Sequence, residues 1–195
     1  MDASLGINEQ LLIWVNQGWA NPVFDLFFYW ISEKYTFSFP LLLIIWSTLG
    51  LKLGKKGWLL GGLMILVTAA GDAFGNMLKH YFEHPRPCLE MFEHIRMHYK
   101  ESTQCVSSAT GMPSNHALNF FATFCFLSFF IRLPWVIITS ISLSVLVAIS
   151  RVYLAHHFPA QILAGTIIGC VYGLSAAWLC HHYFKDRLPL VKNNG

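Results

Sequence analysis

Residues 134–161 read PWVIITSISLSVLVAISRVYLAHHFPAQ. Positions 134–150 carry no charged side chain; Arg151 and the pair His156-His157 then arrive within one short stretch. At Pro159 a second apolar run begins and continues to position 180. Such runs approach the roughly 20 residues that a helix needs to cross a hydrocarbon layer of about 30 Å. A guanidinium and two imidazoles between them are therefore expected at a membrane surface. That reading predicts a fold of crossing helices, with the chemistry held where they turn.

Outward from this stretch the pattern repeats. Apolar segments at 37–51, 57–78 and 116–131 join those at 134–150 and 159–180. A sixth, 11–31, is interrupted by Gln17-Gly18 and Asn21-Pro22. It predicts an interfacial helix, a turn at Asn21-Pro22 and a short or tilted span, with Trp14, Trp19 and Trp30 at headgroup depth. Hydrophobic residues make up 55% of the chain and charged residues 12%, against about a quarter charged in soluble domains. The 195 residues suit one domain, 1–195. The expected fold is all-α: an integral membrane bundle of six transmembrane helices with an interfacial N-terminal helix. A net charge of +3 is too small to argue for a nucleic-acid partner. The start, Met1-Asp2-Ala3-Ser4, has no basic segment, so no cleaved signal peptide is expected.

Lys and Arg in short loops set orientation. With both termini in the cytoplasm, the inner side receives Lys52, Lys55, Lys56, Arg132, Lys185, Arg187 and Lys192. The outer side receives Lys34, Lys79, Arg86, Arg96, Lys100 and Arg151, of which Lys34, Arg96 and Lys100 have Glu33, Glu93 and Glu101 nearby. The loops at 79–115 and 151–158 then share the outer surface.

Three clusters gather there. In the first, Lys79 and Arg86 are nearly two helical turns apart and can share a face, with Pro85 and Pro87 stiffening the approach of Arg86. In the second, Gly111-Met-Pro-Ser114-Asn115-His116 leads into an apolar helix. Ser114 or Asn115 can cap that helix, and its free N–H groups suit an anion beside His116. The third is Arg151 to Gln161. Taken singly, a snorkelling cation, a plain cap and an interface anchor explain them as well. Together they supply three cations for a phosphoryl group and two histidines, one to attack and one to protonate. No carboxylate cage for a metal accompanies them, so no metal or other cofactor is expected.

The order Lys-x6-Arg-Pro, Pro-Ser-x-His, Ser-Arg-x5-His, over positions 79–161, resembles the type 2 phosphatidic acid phosphatase superfamily, membrane branch. The resemblance implies metal-free hydrolysis through a phosphohistidine. It makes His157 the nucleophile and His116 the acid that protonates the leaving oxygen and then helps activate water. Lys79, Arg86 and Arg151 become phosphate ligands, with Ser114, Asn115 and nearby backbone N–H groups. Two positions depart from the family: Asn115 stands where Gly is usual, and Gln161 where an orienting Asp is usual. The stretch His157-Phe-Pro-Ala-Gln161 is similar to the glucose-6-phosphatase pattern. Gln161 is expected to orient His157, its amide nitrogen held by a backbone carbonyl.

The implied substrate is a lipid-linked phosphate in a membrane, with undecaprenyl diphosphate first. Phosphatidylglycerol phosphate, lipid A phosphate, a sugar phosphate and lipid-to-lipid phosphotransfer are alternatives. A lipid or ion transporter is the reading from another class, although repeat symmetry of the kind many transporters show is not evident. The expected location is a bacterial inner membrane with the site facing the periplasm, and no obligate protein partner is evident. Asp72, within an apolar span, is expected to pair with Lys79 or Arg86 or to support the site from behind. Cys88 and Cys105 are expected to form a disulfide if the outer compartment is oxidising. His94 and His98 have a metal-compatible spacing but lack further ligands. Leu89, Phe92, Ile95 and Tyr99 suggest a short interfacial helix. His80, His84, His156, His181 and His182 are read as bystanders.

Overall fold

Asn21 turns the chain where the sequence places a turn. Its side-chain oxygen accepts from the N–H groups of Val23 and Phe24 at 3.0 and 2.9 Å, and Pro22 opens the next helix, a position where its missing N–H costs nothing. The result is a hairpin of α1 (Ile7–Gly18) and α2 (Pro22–Ser32). The computed structural model describes residues 5–97 and 110–192. After a π-helical turn, Lys34–Ser38, come α3 (Phe39–Phe82), α4 (Pro87–Glu90), α5 (Asn115–Phe130), α6 (Pro134–Tyr153) and α7 (Pro159–Phe184). Two short strands, β1 (Ile131–Arg132) and β2 (Val191–Lys192), pair in parallel.

The 44-residue α3 is not straight. Gly54 has φ 60° and ψ −141°, a conformation open to glycine and strained for other residues. The chain doubles back there, so the Trp46 and Trp58 rings meet edge to face at 5.2 Å. At Gly57 a Cβ would lie 1.9 Å from the carbonyl oxygen of Leu49, so only glycine lets the two arms touch. The segments 37–51 and 57–78 are these two arms.

α5 runs through the centre, with Ala117, Leu118, Ala122, Phe126 and Phe130 fully buried. It lies close against α7 because Gly165, Gly169 and Gly173 present no side chain. A Cβ on each would come within 2.6, 2.4 and 2.2 Å of the Ser114, Leu118 and Ala122 carbonyl oxygens. This is the small-residue spacing by which membrane helices approach. On the other face of α7, Leu163, Ile167, Val171, Leu174 and Trp178 are exposed. An unbroken apolar stripe on a helix surface suits lipid rather than water.

Among the described residues, three helical stretches are long and apolar enough to cross a membrane: Lys34–Phe82, Pro134–Tyr153 and Pro159–Phe184. The first contains both arms of α3. α5, with 16 residues, is about 24 Å long, and α1 and α2, with 12 and 11 residues, are shorter still. The all-α membrane architecture holds, while the count of six spans stays an expectation. The expected interfacial helix after Cys88 is not continuous. It is broken into α4 and a 3-10 turn, Phe92–His94; Tyr99 and His98 lie outside the described residues.

Candidate active site

The α6–α7 connection wraps around one carbonyl. The Arg151 carbonyl oxygen accepts from the N–H groups of His156 and His157 at 2.9 and 3.2 Å. Ala155 adopts φ 56° to make the turn, a strained value for a residue with a Cβ. This curl turns both histidines inward, and both are buried. Arg151 donates to the Ser32 hydroxyl and to Nδ1 of His156. Arginine can only donate, so His156 offers a lone pair and helps hold the guanidinium. His156 is therefore not a bystander.

His157 is 2% exposed and Gln161 1%. Oε1 of Gln161 lies 3.1 Å from Nδ1 of His157 and accepts from the Phe158 N–H at 3.2 Å. Nε2 of Gln161 donates to the Pro85 carbonyl at 2.7 Å and lies 3.0 Å from Nδ1 of His84. The Phe158 amide can only donate and the Pro85 carbonyl can only accept, so the Gln161 amide has one allowed orientation. The hydrogen on His157 must then be on Nδ1, and Nε2 keeps its lone pair. Burial, then Arg86, Arg151 and Lys79, hold the His157 imidazole well below the usual histidine range, so it is neutral at physiological pH. The three cations expected at a phosphate thus act on the same imidazole.

Arg86 is positioned by the chain that follows α3. Glu83 ends that helix in the left-handed region. Pro85 then pairs with Thr110 in an antiparallel bridge, the Gly111 N–H donates to the His84 carbonyl at 2.6 Å, and Arg86 Nε donates to the Thr110 carbonyl at 3.3 Å. Ser114 precedes α5, its N–H donating to the Gln161 carbonyl at 3.1 Å. Its buried hydroxyl has no partner among the described residues. That hydroxyl and the unpaired N–H groups of the first turn of α5 can receive an anion.

His116, in that first turn, brings Nε2 to 3.0 Å from the Ser32 carbonyl. Asn115 behaves differently from the expectation. Its amide nitrogen donates to Asn76 Oδ1 at 2.7 Å and to Asp72 Oδ1 at 3.2 Å, leaving its backbone for an anion. Asp72 also accepts from Asn119 at 2.9 Å. It braces the start of α5 against α3 and does not pair with Lys79 or Arg86.

Sequence reasoning missed Ser32 and Lys34, which lie far along the chain from the three motifs. Lys34, Asp72 and His116 line a cavity of about 520 Å³ whose walls also include Phe39, Leu42, Phe120 and Phe124. It also missed a clamp on the segment that follows α4. Arg96 bonds both oxygens of Asp25 at 3.0 and 2.5 Å, which raises its pKa, and Tyr153 donates to Asp25 at 2.6 Å. Arg96 therefore pairs with α2, not with nearby Glu93. Cys88 takes part in a disulfide, and Cys125, Cys170 and Cys180 are free. Cys105 lies outside the described residues.

The family described as the PAP2 superfamily matches residues 58–188. Phosphatidylglycerophosphatase B of Bacillus subtilis is 29% identical over 164 residues, covering 80% of this chain and 72% of the relative. Lipid A 4'-phosphatase of Porphyromonas gingivalis is 24% identical over 176 residues, covering 89% and 72%. The crystal structure of the transmembrane PAP2 type phosphatidylglycerolphosphate phosphatase from Bacillus subtilis has a TM-score of 0.66 at 24% identity. That match covers 100% of this chain and 90% of the other.

Proposed function

Because the chain belongs to the PAP2 superfamily and its relatives there are lipid phosphatases, we propose that it hydrolyses a lipid phosphate through a phosphohistidine on Nε2 of His157. The observation that carries this reading is the fixed Gln161 amide, which leaves Nε2 of His157 unprotonated.

In the first step Nε2 attacks phosphorus and the bond to the lipid oxygen breaks. His116, entering the step with both ring nitrogens protonated, delivers its Nδ1 proton to that oxygen, and the lipid departs. In the second step water attacks phosphorus, His116 takes its proton, the P–N bond breaks, and inorganic phosphate leaves. Lys79, Arg86 and Arg151 neutralise the equatorial oxygens, which carry the developing charge. The Ser114 hydroxyl and the N–H groups of α5 add donors. Gln161 holds Nδ1–H and stabilises the ring without a full counter-charge.

The cavity beside His116 supports a lipid over a free sugar phosphate, since an apolar wall gains nothing from a sugar. Lys34 in its lining supports a leaving group that carries a second anion. Undecaprenyl diphosphate and phosphatidylglycerol phosphate both have one. We place the site on the periplasmic side of a bacterial inner membrane, where the outer-loop reading of the cations puts it.

The test is phosphoenzyme trapping. With labelled lipid phosphate and EDTA present, the purified protein should acquire label that survives base and is lost in acid. His157→Ala should abolish label and turnover. His116→Ala should slow turnover by about a hundredfold or more, with partial rescue by a leaving group that needs no proton. Normal turnover in the His157 variant would overturn the mechanism.

A further inference from the structure

The Gln161 amide nitrogen has two hydrogens and two neighbours. The Pro85 carbonyl lies 2.7 Å away and Nδ1 of His84 lies 3.0 Å away. An amide nitrogen has no lone pair to give, so the His84 contact is a hydrogen bond only in the tautomer whose Nδ1 accepts; in the other tautomer Nδ1–H donates to the Pro85 carbonyl, 3.1 Å away. The His84 backbone is fixed as well, its carbonyl accepting from the Gly111 N–H at 2.6 Å. Its ring meets Phe158 edge to face with centroids 6.2 Å apart. Gly111 packs against the same amide so closely that a Cβ would lie 2.5 Å from Gln161 Oε1.

We infer that His84 is a positioning residue for His157, acting through Gln161 to hold the reacting ring in its Nδ1–H form. This rests on the phosphohistidine reading above. The relay runs from His84 Nδ1 to the Gln161 amide, from its oxygen to His157 Nδ1–H, and so to the Nε2 lone pair. It also gives a reason for glutamine at this position. A carboxylate would set an oxygen against the Pro85 carbonyl with no hydrogen between them, and would require His84 to switch to its Nδ1–H tautomer. Glutamine supplies two hydrogens on that side and an acceptor on the other. A carboxylate here is met only when His84 places its ring hydrogen on Nδ1 and donates to it.

The test compares His84→Leu, His84→Asn, Gln161→Glu and the Leu/Glu double variant, each checked for folding by size-exclusion profile and thermal melt. His84→Leu should lower kcat by about tenfold, the scale of losing a partner behind a reacting imidazole, and leave KM unchanged. His84→Asn should restore most of the loss, because its side-chain oxygen falls near the place of Nδ1. The Leu change should cost more in the Gln161→Glu background than in the wild type, since the donor to the carboxylate is then gone. Wild-type kcat in His84→Leu, or equal loss in His84→Leu and His84→Asn, overturns the inference. If His157→Ala retains turnover, the phosphohistidine reading fails first. A dead His157 variant with an unaffected His84→Leu removes the relay alone.

Discussion

His116 donates its Nε2–H to the carbonyl oxygen of Ser32 at 3.0 Å. A carbonyl can only accept, so this bond fixes the tautomer and leaves Nδ1 as the nitrogen that exchanges a proton. The Ser32 hydroxyl meanwhile takes the Arg151 guanidinium. One buried residue at the end of α2 thus sets both the proposed acid and a phosphate ligand. Ser32→Ala keeps the carbonyl and removes the hydroxyl, so it should spare His116 and loosen Arg151. Losing a hydrogen bond to a charged group costs about 1.5–3 kcal/mol, which predicts a fall in kcat/KM of roughly tenfold to a hundredfold. The added loss on Arg151→Ala should be smaller in this variant than in the wild type. A double-mutant cycle showing independent effects would remove the link.

The fold was legible where hydrophobic runs and turn residues agree. The turn at Asn21-Pro22 and the five apolar segments appear where the sequence puts them. The reversal at Gly54 falls in the gap between the apolar segments 37–51 and 57–78. The span count was less legible, because α5 is short and buried by its neighbours rather than by lipid. At the site, the three motifs carry their own spacing, which proposes Lys79, Arg86, His116, Arg151, His157 and Gln161 as one group; the fold adds the contact between His157 and Gln161. Ser32, Lys34 and His84 could not be named from spacing, since their roles come from contacts between distant segments. His84–Gln161 and Ser32–Arg151 pairs leave no periodic trace. The GxxxGxxxG spacing of Gly165, Gly169 and Gly173, by contrast, is a periodic signal of close helix packing.

Proton linkage at His157 gives a second expectation. Burial, Arg86, Arg151 and Lys79 depress its folded pKa well below the ordinary value. The unfolded chain, with pKa about 6.5, takes up a proton that the folded state refuses. Its contribution to stability is therefore present in full above pH 6.5 and is lost as pH falls below it. Thermal melts of the wild type should fall between pH 7 and pH 5. His157→Gln, which cannot titrate, should show a shallower decline. Equal slopes would mean that His157 does not carry the linkage.

The disulfide at Cys88 sits next to Arg86, and we propose Cys105 as its partner. Closing a loop of about 15 residues stabilises by about 3 kcal/mol on chain-entropy grounds, and it would tie the Arg86 segment to the approach to Ser114. Labelling of denatured protein should find three reactive thiols before reduction and five after. Removing the bridge should raise KM more than it lowers kcat, because it holds a ligand for the phosphate and not the attacking ring. Five thiols without reduction would end the idea.

Lys34 separates substrate classes. It lines the same cavity as His116 and Asp72, and His116 is the group that meets the leaving oxygen in the proposed reaction. The leaving group therefore departs past Lys34. If that group is itself a phosphate, as in undecaprenyl diphosphate, charge develops on it as the anhydride bond breaks, and a nearby ammonium stabilises it. If the leaving group is a plain alcohol, as with the matching monophosphate, there is no second anion for Lys34 to meet. Lys34→Gln keeps much of the length and removes the charge. On the diphosphate, kcat/KM should fall roughly tenfold, in line with a lost charged hydrogen bond. On the monophosphate of the same chain it should hardly change. Salt should narrow the gap in the wild type and do little to the variant. Equal losses on both lipids would show that Lys34 acts on the scissile phosphate itself, and would remove it as a determinant of the leaving group.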